Sequence, residues 1–493
     1  MHSDDWISLV RYKALEEDFL TKVQIFWKRH GPVVTSQIIY MGLLESLFGL
    51  NYKVFGLINI IFKILATLSL YPLILLVFKR RLLAFLAVIL YSISYSTVGT
   101  FYVVIQGTEY QAIFFMNIFL IIYYFIAKKQ IISLKWIFAL MLSFSIAILL
   151  APSRLFPLIL LPLLIEFFLW LHMRANYNFK MGVRKLFFLY LPFVLLFIYH
   201  PVAITGAFII PITHFQKILE GYWFIILSPM SGLGYMIFWD SYWVKLIGSL
   251  RLDNFGGYLL FLVTHTTFLF GLISIIFALI LSRNRRRFIL LTIVLNLIME
   301  ILIFFPSINH LKIPIEHRVS FDFNALYSVF VGVFVFAFSI SCYIEWLAMG
   351  KKNGLLLAIV LGSMTSLYFI FCNWLFANSF LSFGPQHEYL TVPAIGVSLM
   401  FSALLTSFHD KLKAIKILNL GKSLAVCTLL LILLPIYGVN KLRTTEYLSG
   451  IIKQNNALKQ QDIQQKLRIQ IKESTNKLVF FDWTRDKDNA EFY

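Results

Sequence analysis

From Val54 onward the chain alternates long apolar runs with short polar stretches. About 20 apolar residues are needed to cross a bilayer as a helix. Windows of that size predict twelve spans, near 54–78, 82–102, 110–127, 134–151, 155–173, 186–200, 258–281, 288–305, 323–349, 354–376, 390–408 and 421–440. Short alternating segments are lacking and Gly and Pro are few, which argues against a transmembrane β-barrel. The expected fold class is an all-α polytopic membrane protein.

Composition agrees. Of 493 residues, 59% are hydrophobic, 17% aromatic and 14% charged, with a mean hydropathy of +0.80. A soluble protein carries about a quarter charged residues and under half apolar. A soluble enzyme, a disordered chain and a nucleic-acid module are excluded. The net charge of +19 has its explanation in the loops. One alternating set, from Lys79-Arg80-Arg81 through Lys128-Lys129, Arg174–Lys185, Arg283–Arg287 and Lys351-Lys352 to Lys411–Lys422, holds 20 basic residues when Lys135 is included. The other set, 103–109, 152–154, 201–257, 306–322 and 377–389, holds six. Positive loops stay inside, so the first set is assigned to the cytoplasm and the second to the outside. Cys342, Cys372 and Cys427 all fall in apolar runs and imply no disulfide framework.

Three regions follow: an outer first loop over 1–53, a transmembrane domain over 54–440, and an extracytoplasmic tail over 441–493. Within the first, Pro32–Gly49 is apolar but short and contains Glu45. A charge at depth is costly, so this segment is expected to lie along the outer surface as an interfacial helix. Nothing before it delivers residues 1–53 outside, because Met1–Arg29 is polar and mixed in charge. A further helix upstream of Met1, a thirteenth, is therefore expected, and the abrupt end at Tyr493 suggests the start of a small extramembrane domain.

The chain has no nucleotide-binding glycine loop and no zinc-protease motif. Polar chemistry concentrates in the outer set. Adjacent carboxylates at Asp4-Asp5, beside Trp6, suit a general base, since like charges raise one pKa. Lys28-Arg29-His30, at the start of an interfacial helix, suits a phosphate. A solvated charged loop would show the same residues. Inside the spans, Glu300 and Glu345 are expected to snorkel from span ends. Lys63 and Glu166 lie deeper, and either line one outward-facing cavity or pair with polar neighbours.

The order of the acidic pair, the cationic cluster before Pro32 and the closing Leu47-Phe48-Gly49-Leu50-Asn51 resembles the GT-C class of integral-membrane glycosyltransferases, including protein O-mannosyltransferases and the lipid A aminoarabinose transferase. Asp5 stands where members carry Glu. The resemblance implies transfer of a sugar from a polyprenyl-phosphate donor, with inversion, at the outer face of the plasma membrane. It implies Asp4 or Asp5 as the residue that deprotonates or orients the acceptor; Lys28, Arg29, His30, Arg154 and Arg318, all assigned to the outer side, are the candidate cations for the donor phosphate. Glu109, His317 and Glu388 are secondary candidates; Glu388 takes the place of an Arg in the pattern Glu388-Tyr389-Leu390-Thr391-Val392-Pro393, which counts against a phosphate role there. The cofactor stays open, a divalent metal included, and no metal ligands are assigned: Asp486-Lys487-Asp488 has metal-ligand spacing but sits in a charged tail. The expected partners are the lipid-linked sugar and membrane lipids, with the acceptor open and no nucleic acid. The competing readings are a lipid or polysaccharide transporter or flippase, and a non-catalytic cell-envelope assembly protein.

Overall fold

The computed structural model describes residues 8, 11–13, 15–49, 51–94, 107–129, 133–173, 178–199, 212–216, 219–220, 228–237, 255–282, 284–309, 323–350, 353–376, 390–413 and scattered positions from 429 to 445. Among these, the regular structure is helical throughout. The principal helices are α1 (Phe19–Phe48), α2 (Tyr52–Phe78), α3 (Arg81–Ser92), α4 (Gly107–Lys129), α5 (Leu134–Leu150), α6 (Leu161–Met173), α7 (Phe179–Tyr199), α8 (Ser228–Ile237), α9 (Phe255–Leu281), α10 (Arg285–Asn309), α11 (Phe323–Ala348), α12 (Gly354–Phe376) and α13 (Pro393–Lys413).

Four stretches among the described residues are long and apolar enough to cross a membrane: Lys53–Phe78, Gly107–Ala127, Ser328–Ala348 and Gly354–Leu375. All four coincide with expected spans. Around α2, Leu57, Ile61, Ile64 and Leu68 are exposed at helical spacing, an outward apolar stripe suited to lipid. Among the described residues, no other expected span shows a stretch of that length and apolarity. α3 and α5 are apolar but short, α10 opens on three arginines, and most of 421–440 lies outside the described residues.

Two buried clusters organise the bundle. One joins α3, α9, α11, α12 and α13 around Phe270, Phe330, Phe334 and Phe338. The other joins α4, α5 and α7 around Phe119, Phe144 and Phe193, and Ile395 of α13 packs against both. Lipid offers no hydrophobic drive between helices, so close backbone approach must supply the attraction. Gly362 of α12 and Gly396 of α13 provide it: a Cβ on either would lie 2.5 or 2.2 Å from the other's carbonyl oxygen.

Three expectations need correction. The helix expected to start at Pro32 is the second half of α1, which begins at Phe19. Asp18 explains the early start. Its Oδ1 accepts from the Leu20 and Thr21 amides at 2.9 and 3.0 Å, and its Oδ2 accepts from the Thr21 hydroxyl at 2.6 Å. These bonds, the Thr21 hydroxyl foremost, hold the Asp18 carboxyl below its usual range. The expected span 155–173 is broken into a turn at Pro152–Leu155, a 3-10 turn at Phe156–Ile159, and α6. Pro157 contributes no amide to a continuous helix, and the exposed carbonyls are satisfied by tyrosines: Tyr368 donates to the Pro157 carbonyl and Tyr190 to that of Ile159. Finally, the expected outer loop 201–257 contains α8, which is buried against α11, where Gly234 meets the Ser328 carbonyl and Gly332 the Met230 carbonyl. Gly-rich sequence there reads as loop, but it is what permits the close packing.

Candidate functional site

α2 and α4 lie side by side and parallel, since Asn59 meets Gly107 while Ala66 and Ser69 meet Asn117. Parallel neighbours require the chain to return between them, which α3 begins. The N-terminus of α4 thereby comes to the end of the bundle where α2 starts. That end belongs to the sparsely basic loop set.

A charged pair is buried there. Arg154 Nε donates to Glu109 Oε1 at 2.9 Å, with the side chains 8% and 4% exposed. The break before α6 supplies Arg154: a continuous helix would carry it past, whereas the Pro152–Leu155 turn holds it against the first turn of α4. Glu109 sits where a carboxylate also meets the positive end of the α4 dipole. Around the pair, the Tyr40 hydroxyl of α1 donates to Asn59 Oδ1 at 2.8 Å. A Cβ on Gly107 would sit 1.8 Å from that oxygen, so glycine is needed for α4 to approach. Lys63 Nζ lies 6.0 Å from the centre of the Tyr110 ring. Tyr91, fully buried at the end of α3, feels the Glu109 charge, and its hydroxyl has no hydrogen-bond partner among the described residues.

The first segment folds back on this end. The Tyr12 ring covers Gly42, Lys13 Nζ pairs with Glu45 Oε1 at 2.6 Å, and Lys22 lies 4.3 Å over the Tyr12 ring. α1 closes at Gly49 with φ 60° and ψ −155°, a backbone that essentially only glycine adopts. The glycine of Leu47-Phe48-Gly49-Leu50-Asn51 is thus a helix terminator, followed by Asn51 at the start of α2.

The structure brings together Glu109 and Arg154 from the sequence candidates. Lys28 is exposed on α1. Arg29 and His30 lie within α1, in its middle and not at its start, so the first-turn amides expected to share a phosphate with them are elsewhere. Asp4, Asp5, His317, Arg318 and Glu388 lie outside the described residues, as do Asp486 and Asp488. No family model, no curated protein and no solved structure matches the chain. Among the described residues, no group of three or more His, Cys, Asp or Glu could hold a metal.

The intramembrane charges also resolve. Lys63 and Glu166 share no cavity: Lys63 neighbours Tyr110, whereas Glu166 accepts from Tyr123, about 20 Å further along α4. Lys185 Nζ reaches Glu166 Oε1 at 2.5 Å and lies 4.8 Å from the Tyr123 ring centre. Sequence reasoning counted Lys185 as a loop cation, although it is 3% exposed. Glu300 does not snorkel, whereas Glu345 borders the cavity at the basic end of the bundle. Both are buried, with Asn296 donating to Glu300 and Ser282 to Glu345, each at 2.9 Å. Asn59, Tyr40 and Tyr91 were missed because single neutral polar residues in apolar runs carry little signal until their partners are known.

Proposed function

We propose that the protein is a membrane glycosyltransferase that moves a sugar from a polyprenyl-phosphate donor to an acceptor at the outer face of the plasma membrane. The observation that carries this reading is the meeting of Glu109 and Arg154 at the end of the bundle to which α1 delivers Gly49 and Asn51. On the same sparsely basic side, the Tyr40–Asn59 hydrogen bond and the Gly49 helix end lie near the pair. Asp4 or Asp5 acts as base toward the acceptor hydroxyl. Tyr12 is fixed against Gly42, which keeps Asp5 within about 25 Å of that point along the chain. Lys28, Arg29 and His30 bear on the donor phosphate as side chains, since no helix starts beside them. Glu109 is a positioning residue that fixes the Arg154 guanidinium near the leaving phosphate.

A donor titration in neutral-lipid nanodiscs tests the phosphate role. Arg29→Gln or His30→Gln is expected to weaken donor binding about 10- to 100-fold, the value of one charge-assisted contact, with acceptor binding unchanged. Unchanged donor affinity in both variants would reduce the stretch to a membrane anchor.

A lipid or polysaccharide transporter is favoured by one observation, the buried charges on several helices, Glu166 with Lys185, Glu300 and Glu345. Each of these has a local polar partner, as structural groups in a helix bundle also do.

A further inference from the structure

At the opposite end of the bundle the basic loops converge. Arg80, Arg285, Arg286, Arg287 and Lys411 line one cavity of about 1270 Å³. Sites for ordinary small ligands occupy roughly 300–1,000 Å³. Five cations in that lining face two carboxylates, Glu345 and Asp410. Both acids are engaged: Arg80 Nη1 meets Asp410 Oδ2 at 2.7 Å, and Ser282 donates to Glu345 at 2.9 Å. Among the described residues, Arg285, Arg286, Arg287 and Lys411 form no ion pair.

Two helices also begin at this cavity. The amide of Arg287 faces Asn284 Oδ1 at 3.4 Å at the start of α10, and the Leu355 amide donates to Asn353 Oδ1 at 3.1 Å at the start of α12. Their positive dipole ends add to the cationic field. Beside Asn284, Asn353 and Ser407, the wall carries an apolar side made by Ile280, Leu281, Ala348, Met349 and Leu355. A small soluble anion has no use for such a wall. An amphiphile with an anionic head does.

We propose that this cavity binds the phosphate headgroup of an anionic phospholipid from the adjoining leaflet, with the apolar wall taking its glycerol and first acyl carbons. This site is separate from the Glu109–Arg154 pair and independent of sugar transfer. Arg285, Arg286 and Arg287 supply the anion contacts at the first turn of α10. Basic pockets between membrane helices are suited to such headgroups because the charge lies at head-group depth and next to lipid.

The test uses the full chain in phosphatidylcholine nanodiscs with increasing phosphatidylglycerol, reading bound phosphatidylglycerol by native mass spectrometry. Arg285→Gln/Arg287→Gln is expected to weaken retention roughly 25-fold, about five-fold for each charge removed. Arg184→Gln, which removes an exposed cation outside the cavity, is expected to leave it unchanged. Both arginines are exposed, and equal thermal midpoints in pure phosphatidylcholine check folding. Undiminished retention in the double variant, or an equal loss in Arg184→Gln, would overturn the site. A parallel arm supplies inorganic phosphate in phosphatidylcholine alone. Saturation there with the same arginine dependence, and no response to phosphatidylglycerol, would overturn the lipid as its source.

Discussion

Glu109 and Arg154 hold one another in a setting where neither is tolerable alone. A charge removed from water is costly, and the mutual attraction offsets that cost only with good geometry, such as the 2.9 Å contact here. Removing one partner leaves the other buried without this contact. Glu109→Gln and Arg154→Gln are each expected to destabilise the protein by about 3–5 kcal/mol. The double variant is expected to cost less than the sum, a difference that equilibrium unfolding in mixed micelles measures. Strict additivity would mean that the two side chains do not interact. At this scale the sequence was partly legible. Glu109 and Arg154 were visible as outer-set charges, because charges in a poorly charged chain are conspicuous. Their pairing was not, since it depends on a helix break that the apolar run from Leu155 to Leu171 conceals.

The elements were more legible than their ends. Hydropathy located α2, α4, α11 and α12 because a run of about 20 apolar residues has few alternatives. It mislaid the start of α1 because an N-cap is a single side chain, Asp18, inside a charged stretch. It missed α8 because ten residues with two glycines look like a loop until their packing partner is known. The close of α1 gives a sharp prediction. Gly49 occupies a conformation that costs other residues on the order of 1–3 kcal/mol. Gly49→Ala is expected to destabilise by that amount, although nothing lies within 4 Å of a Cβ built there. Gly56→Ala, at an equally open position inside α2, is expected to stabilise by about 0.5–1 kcal/mol, as alanine does in helices. Thermal unfolding of the two variants separates a strained helix end from simple crowding. A stabilised Gly49→Ala would show that α1 does not stop there.

Across the molecule, the described members of the two loop sets sorted by charge fall at opposite ends. Arg80 meets Asp410 across 330 residues at one end, and Glu109 meets Arg154 at the other. That agreement was available from basic residues alone, because the bilayer imposes alternation on every crossing. The separation of ends carries a topological prediction. Single cysteines at Asn51 and Asn284, both exposed, are expected to react differently with a membrane-impermeant thiol reagent added outside intact cells: Asn51→Cys labels and Asn284→Cys does not. Labelling of Asn284→Cys with protection of Asn51→Cys would invert the molecule and put the Glu109–Arg154 end inside.

Turnover tests the central claim most directly, because it asks whether the acid-led first segment performs chemistry. The full chain in proteoliposomes is given a radiolabelled polyprenyl-phosphate sugar and membrane-extract acceptors, and the initial rate of transfer is measured. The account predicts transfer by the unaltered protein, and a loss on the order of 10²-fold or more for Asp4→Asn/Asp5→Asn at equal protein level. Full turnover by that double variant would contradict the mechanism.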